Sequence, residues 1–207
     1  MSFNRHITRH LEDWKKSSNR KPLIIRGARQ VGKTTLVNDF SQTFKNQISL
    51  NLEKAKDIRF FEDYDDVSTI KNALFLEYNI SNDAIDKTLL FIDEIQESAK
   101  AIQLLRYFHE EIPELPIIAA GSLLEFVMQQ VKSFPVGRVE FLYLHPLNFP
   151  EFLSAIGQQQ VLEQLNEIPI KDFAHKIILD LFNTFTIIGG MPEIVKTYRN
   201  NKSIADL

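Results

Sequence analysis

Gly27-Ala28-Arg29-Gln30-Val31-Gly32-Lys33-Thr34 decides the fold. The octet matches G-x-x-x-x-G-K-[ST], whose glycines let the backbone wrap so that its N–H groups point at phosphate oxygens. Upstream, Pro22-Leu-Ile-Ile-Arg26 is a short apolar run suited to a buried strand. Downstream, Leu36, Val37, Phe40 and Phe44 keep helical spacing, so the octet opens a helix whose positive end faces an anion. Strand, glycine loop and helix in that order predict a phosphate cradle. Gly27, Ala28, Arg29, Gln30, Val31, Gly32, Lys33, Thr34 and Thr35 are its candidate nucleotide contacts. Lys33 would reach the β- and γ-phosphates, and the Thr34 hydroxyl would sit on Mg2+.

A second stretch supplies carboxylates. Leu89-Leu90-Phe91-Ile92-Asp93-Glu94 is a buried strand that delivers two acids to its carboxyl end. In open parallel sheets that edge is where ligands bind. Asp93 would hold Mg2+ in the manner of a Walker-B aspartate. Glu94 would orient and deprotonate an attacking water, which favours hydrolysis over transfer to a substrate.

The rest of the chain alternates in the same way. Gln47–Leu52, Pro116–Ala120 and Phe141–Leu144 read as further strands. Ala55–Asn79, interrupted at Asp63–Asp66, and Lys100–Glu111 read as helices. Strands alternating with helices predict an α/β fold: a central, mainly parallel five-stranded sheet between helices. From about Asn148 the strands stop. Glu151–Ile156, Val161–Leu165 and Asp172–Thr186 have helical spacing and predict a small carboxyl-terminal helical subdomain. The expected division is a core over 1–147, including an amino-terminal helix with Ile7, Leu11 and Trp14 on one stripe, and a helical part over 148–207.

Composition narrows the class. The 207 residues carry 24 basic and 27 acidic side chains, a net charge of −3, so coating nucleic acid by bulk charge is disfavoured. Cysteine is absent, which excludes disulfides, thiolate catalysis and thiolate metal sites. No stretch resembles a signal peptide, and no apolar run approaches the ~20 residues that span a bilayer. A cytoplasmic protein with no membrane partner is the expectation. The first helix has a basic face (Arg5, Arg9, Lys15, Lys16), which reads either as a solvated surface or as a contact for DNA phosphate. His6 and His10 share a helix face without a third ligand, a poor metal site.

Two single residues complete the candidates. Ser122, after the fourth strand, reads as a contact for the γ-phosphate or lytic water, or as the cap of a helix over Leu123–Gln130. Arg138, in Pro135-Val-Gly-Arg138, is placed on or near the catalytic edge as a source of positive charge for the transition state, with Arg106 a weaker candidate.

GARQVGKTTL, LLFIDEIQ, GSLLEF, GRVEFLYLHPLNFPEFL and IIGGMPEIV follow one another along the chain. In that order they resemble the prokaryotic AAA+-type P-loop ATPases, in which the ATPase domain precedes a further carboxyl-terminal domain. The resemblance implies ATP and Mg2+ as ligands. It implies Met191 and Pro192 near the nucleotide, Arg138 as an arginine sensor or finger, Arg5 lining the base or ribose pocket, and a chain truncated before its next domain. The leading expectation is a motor or switch module that would work on DNA or a protein client and could act as a homo-oligomer. The alternative is a slow-turnover, nucleotide-gated scaffold. A GTPase is disfavoured by the lack of Asn-Lys-x-Asp, and an ABC-type ATPase by the lack of Leu-Ser-Gly-Gly-Gln.

Overall fold

The computed structural model describes residues 3–122 and 137–203. The chain divides into two compact units. The larger comprises Arg9–Arg29 and Lys33–Leu144. The smaller gathers the amino-terminal residues through Thr8, Gln30–Gly32 and the chain from His145 onward. A single cut after residue 147 does not reproduce this grouping, because the amino terminus and the tip of the glycine loop go with the carboxyl-terminal unit.

In the larger unit, α1 (Thr8–Lys16) is followed by β1 (Leu23–Arg26), α2 (Lys33–Ser41), β2 (Asn46–Asn51), α3 (Ala55–Glu62) and α4 (Val67–Glu77). Next come β3 (Thr88–Asp93), α5 (Ala99–Glu111), β4 (Ile117–Gly121) and β5 (Glu140–Tyr143). The five strands form one sheet in the order β2-β3-β4-β1-β5. Every pairing is parallel, with Leu90 opposite Ile117, Arg26 opposite Gly121 and Leu23 opposite Glu140. All carboxyl ends therefore share one edge.

β3 is buried at all six positions, as expected of a central parallel strand covered on both faces. Alternation sorts its side chains: Leu90 and Ile92 join Ile24, Ile48, Leu50, Ile117 and Ala119 in a core shared with α3, α4 and α5. Residues facing the other way, among them Ile25, Phe91 and Ile118, are equally buried, and α2 contacts β3 and β4. Caps fix the helix starts. Asp66 accepts from the Thr69 N–H at the head of α4, and Ser98 from the Ala101 N–H at the head of α5.

The smaller unit contains α6 (Phe149–Ala155), α7 (Gln159–Leu165), α8 (Asp172–Ile188) and α9 (Pro192–Asn201). Phe152, Leu153, Leu147 and Val195 are its buried centre, with Phe149, Phe185 and Tyr198 packed against them. α6 opens on a capping box: Asn148 accepts from the Glu151 N–H, and the Glu151 carboxylate accepts from the Asn148 N–H. The sequence reading missed α9, whose apolar residues are few, although Pro192 occupies the favoured first-turn position. It also missed the short 3-10 turns at Asn82–Lys87 and Ile95–Glu97.

Candidate nucleotide site

The candidate site is built at the carboxyl edge of the sheet in the larger unit. The glycine loop leaves β1 after Arg26, the acidic pair leaves β3 at Asp93, and Ser122 follows β4, which lies between those two strands. The loop turns through the left-handed region at Gln30 (φ 64°) and at Gly32 (φ 92°), where a side chain would be strained. Ala28, Arg29, Gln30, Thr34 and Thr35 are exposed along this stretch, whereas Val31 and Lys33 are buried.

α2 begins at Lys33 itself. The Lys33 ammonium donates to the carbonyls of Gly27 (3.0 Å) and Ala28 (2.9 Å), so the loop's own backbone holds the cation inside the turn. Burial pushes the Lys33 ammonium below its ordinary pKa, and the Arg29 charge pushes the same way; Glu94 and Asp93 act against them. The Thr34 hydroxyl donates to Asp93 Oδ2 at 2.7 Å, across 59 positions of sequence. Asp93 Oδ1 accepts from the Glu94 N–H at 3.1 Å. Burial drives the Asp93 carboxyl above the ordinary range; these two hydrogen bonds oppose it, the Glu94 charge adds to it, and Lys33 counters.

Glu94 adopts a left-handed backbone (φ 52°, ψ 45°), unusual for a side chain of its size. The turn lets Ile95 bury completely while Glu94 stays half-buried. Glu94 Oε2 accepts from Gln96 Nε2 at 2.6 Å, a contact the sequence did not signal. Ser122 is 3% exposed, and its hydroxyl has no hydrogen-bond partner among the described residues. The helix expected over 123–130 lies outside the described residues.

Two arginines stand elsewhere than expected. Arg138 precedes β5, and the parallel register sets the start of β5 beside the start of β1, at the amino edge of the sheet. There its Nε donates to Glu110 Oε1 at 2.8 Å, and Arg106 Nε donates to the same oxygen at 3.1 Å. These bonds, that from Arg138 first, hold the Glu110 carboxyl below its usual range. Arg138 therefore lies away from the candidate site of its own chain; a side chain before a parallel strand emerges opposite the strand's carboxyl end.

Arg5 is buried and committed within the smaller unit. Its Nε pairs with Glu151 Oε1 (3.2 Å), and its Nη atoms donate to the carbonyls of Val31 (3.2 Å) and His145 (2.5 Å). With all its ends engaged it does not line an open base or ribose pocket. Glu151, unnoticed in sequence reading, was legible only as the last letter of the capping pattern Asn-x-x-Glu. Gly190 donates no side chain because a Cβ there would lie 1.9 Å from the Leu147 carbonyl oxygen, and its own carbonyl accepts from the Leu147 N–H at 2.7 Å. Two residues on, Pro192 lies beside Gly32 of the loop, its Cγ 3.9 Å from where a Cβ on Gly32 would stand. Met191 is the amino-terminal cap position of α9.

The basic face of α1 is partly structural. Lys15 Nζ donates to the Thr43 carbonyl and hydroxyl and lies 4.2 Å from the centre of the Phe44 ring. Arg20 donates to the carbonyls of Lys15 and Glu114. Arg9 and Lys16 are exposed. Among the described residues no group of three or more His, Asp or Glu could hold a metal, and no helix is long and apolar enough to cross a membrane.

A family model described as an AAA domain matches residues 19–153, about two-thirds of the chain, and the chain belongs to that family of AAA-type P-loop ATPases. No curated protein matches the sequence. Among solved structures, a Walker-type ATPase of Pyrococcus abyssi superposes with a TM-score of 0.59 at 17% identity, covering 99% of this chain and 70% of that one. The Drosophila ORC bound to DNA superposes with a TM-score of 0.58 at 18% identity, covering 93% of this chain and 58% of that one. At these identities the likeness is one of fold. A fold of this class with an AAA domain implies nucleotide binding.

Proposed function

We propose that the chain binds Mg2+-ATP at the loop Gly27–Thr34 and hydrolyses it, serving as a motor or switch module. The observation that carries this reading is the Thr34–Asp93 hydrogen bond of 2.7 Å, which joins the two oxygen donors expected of such a site, one from the head of α2 and one from the end of β3. Mg2+ takes few protein ligands, commonly one or two oxygens beside phosphate and water, and a hydroxyl with a carboxylate fits that demand. Bound there, the ion would neutralise charge on the β- and γ-phosphate oxygens.

The chain's own groups account for the remainder. Backbone N–H groups of the loop and the head of α2 hold the phosphates, and Lys33 exchanges its bonds to the Gly27 and Ala28 carbonyls for phosphate oxygens. Glu94 takes a proton from water as the water oxygen bonds to the γ-phosphorus. The β–γ anhydride bond breaks, and ADP leaves with the electron pair. The buried, unpartnered Ser122 hydroxyl sits at the strand end between loop and acids, suited to a γ-phosphate or water contact. Arg138, at the far edge of its own sheet, would reach a nucleotide only in another copy. An effector DNA is suggested by the fold shared with ORC and by Arg9 and Lys16, the exposed cations of the basic helix.

The test is titration calorimetry with Mg2+-ATP, followed by turnover with and without duplex DNA. Lys33→Ala is expected to weaken ATP binding by roughly 10²-fold, the scale of losing charge-assisted hydrogen bonds. Unchanged affinity would remove the loop from the nucleotide site. Tight binding with negligible turnover would leave the gated scaffold as the better description.

A further inference from the structure

We infer that Arg5 is a positioning residue for the phosphate loop, clamping its tip to the capping box of α6 through Glu151. This rests on the nucleotide-binding reading above and assigns the loop its support.

The tip Gln30–Gly32 groups with the smaller unit, while the loop's first residues and Lys33 belong to the larger one. The chain is continuous across both joins, so whatever holds Val31 fixes the backbone between Arg29 and Lys33. What holds it is Arg5. Its guanidinium spans three acceptors: Glu151 Oε1, the Val31 carbonyl and the His145 carbonyl. A planar fork with five donors suits that task, and a lysine ammonium lacks its reach.

The other half of the pair is equally occupied. Glu151 Oε1 also accepts from the His6 N–H at 2.8 Å, and Oε2 accepts from the Asn148 N–H at 3.1 Å. Arg5 is 8% exposed and Glu151 4%. A buried ion pair stabilises little when weighed against apolar replacements, but it specifies geometry when both partners are also hydrogen-bonded to fixed backbone groups. Here the geometry specified is that of an oxygen inside the phosphate loop. A second, separate contact points the same way: Pro192, at the head of α9, lies beside Gly32. The tip is thus held from two elements of the smaller unit, and the amides expected to bind phosphate are preorganised by residues outside the loop.

The test compares ligands as well as variants. Dissociation constants are measured for Mg2+-ATP, Mg2+-GTP and Mg2+-tripolyphosphate in wild type, Arg5→Met and Arg5→Lys. A clamp on the loop acts on phosphate, so Arg5→Met should weaken all three by one common factor, roughly 10-fold. Arg5→Lys keeps the charge beside Glu151 without the fork, and its loss should be smaller, roughly 3-fold. A loss confined to ATP would make Arg5 a base contact and overturn the clamp, as would unchanged affinity in a folded Arg5→Met protein.

A second readout needs no nucleotide. Arg29 is exposed, so trypsin reports on the Arg29–Gln30 bond. Cleavage there should be at least about 10-fold faster in Arg5→Met than in wild type, since cleavage follows the population of the opened loop. Equal rates would overturn the clamp. If Arg5→Met does not fold, Glu151→Gln carries both measurements with the same expectations, because its amide oxygen still accepts from backbone while the charge on Arg5 goes unpaired. A wild-type protein that binds none of the three ligands would defeat the nucleotide reading alone; the cleavage comparison would still decide whether Arg5 holds the loop.

Discussion

The two edges of one sheet use the same residue types to opposite ends. At the carboxyl edge, Lys33, Asp93 and Ser122 are buried, both ionisable groups are pushed toward their neutral forms, and the Ser122 hydroxyl has no partner among the described residues. At the amino edge, Arg138 and Arg106 share Glu110 in solvent, and the acid is pushed toward its charged form. Exposed pairs of that kind contribute little to stability. The difference teaches where unspent chemistry lies. Desolvated charges are kept at a cost the rest of the fold must offset, and such groups cluster where a ligand can complete them.

The largest expected effect sharpens this contrast at the carboxyl edge. Glu94→Gln keeps the shape of the side chain and its contact with Gln96 while removing the proposed base. Steady-state phosphate release should fall by about 10²–10⁴-fold, the usual range for general-base removal, with ATP affinity near that of wild type. Turnover at the wild-type rate would assign the proton to another group.

The next effect would break the contrast. Arg138→Ala should leave ATP affinity unchanged, because the residue stands at the wrong edge of its own sheet. Where copies meet, it should slow turnover by roughly 10²-fold or more, toward the 10³–10⁵ range of arginine fingers. Wild-type specific activity should then rise with protein concentration, and mixing Arg138→Ala with Glu94→Gln protein should restore part of it. An Arg138→Ala protein as active as wild type at every concentration would make the amino edge ordinary surface.

The sequence made the carboxyl edge readable because its chemistry is local. Gly27–Thr34 is contiguous, and Asp93-Glu94 follows an uninterrupted apolar run, so strand, edge and side chains are specified together. Arg138 was misplaced although the information was present: in a parallel sheet, a residue just before a strand lies at the amino edge. Arg5 was beyond reach for a different reason. Its partner Glu151 lies 146 positions away, and nothing local to either residue signals a buried pair. Gln96 and α9 carried weak local signals, a polar residue in a short turn and a helix with few apolar positions.

The smallest effect tests whether the carboxyl edge is held at a cost in stability. The folded-state pKa of Asp93 is raised above its unfolded value near 3.8, chiefly by burial. The native state therefore binds more protons than the unfolded state between those two values, and stability falls as pH rises through that window. At neutral pH the full penalty of the buried carboxylate is present. Asp93→Asn removes the charge; its amide oxygen can stand at the Oδ1 position and accept from the Glu94 N–H, while its NH2 at the Oδ2 position donates to the Thr34 hydroxyl oxygen. Part of the gain is returned at Lys33, where Asp93 favours the charged ammonium; Glu94 is the larger of the two carboxylate influences there and is untouched. The nucleotide-free Asn variant should therefore melt a few degrees higher than wild type at pH 7, each kcal/mol being worth about 2–4 °C in a chain of this length. Its advantage should shrink as pH falls toward 3.8, where Asp93 takes up its proton in both states. Mg2+-ATP should reverse the order by stabilising wild type alone, since ligand that binds only the native protein raises its melting point. An Asn variant that melts below wild type at pH 7 without nucleotide would mean that the Asp93 charge holds the loop and acids together, and that this edge, like the opposite one, is a structural ion pair.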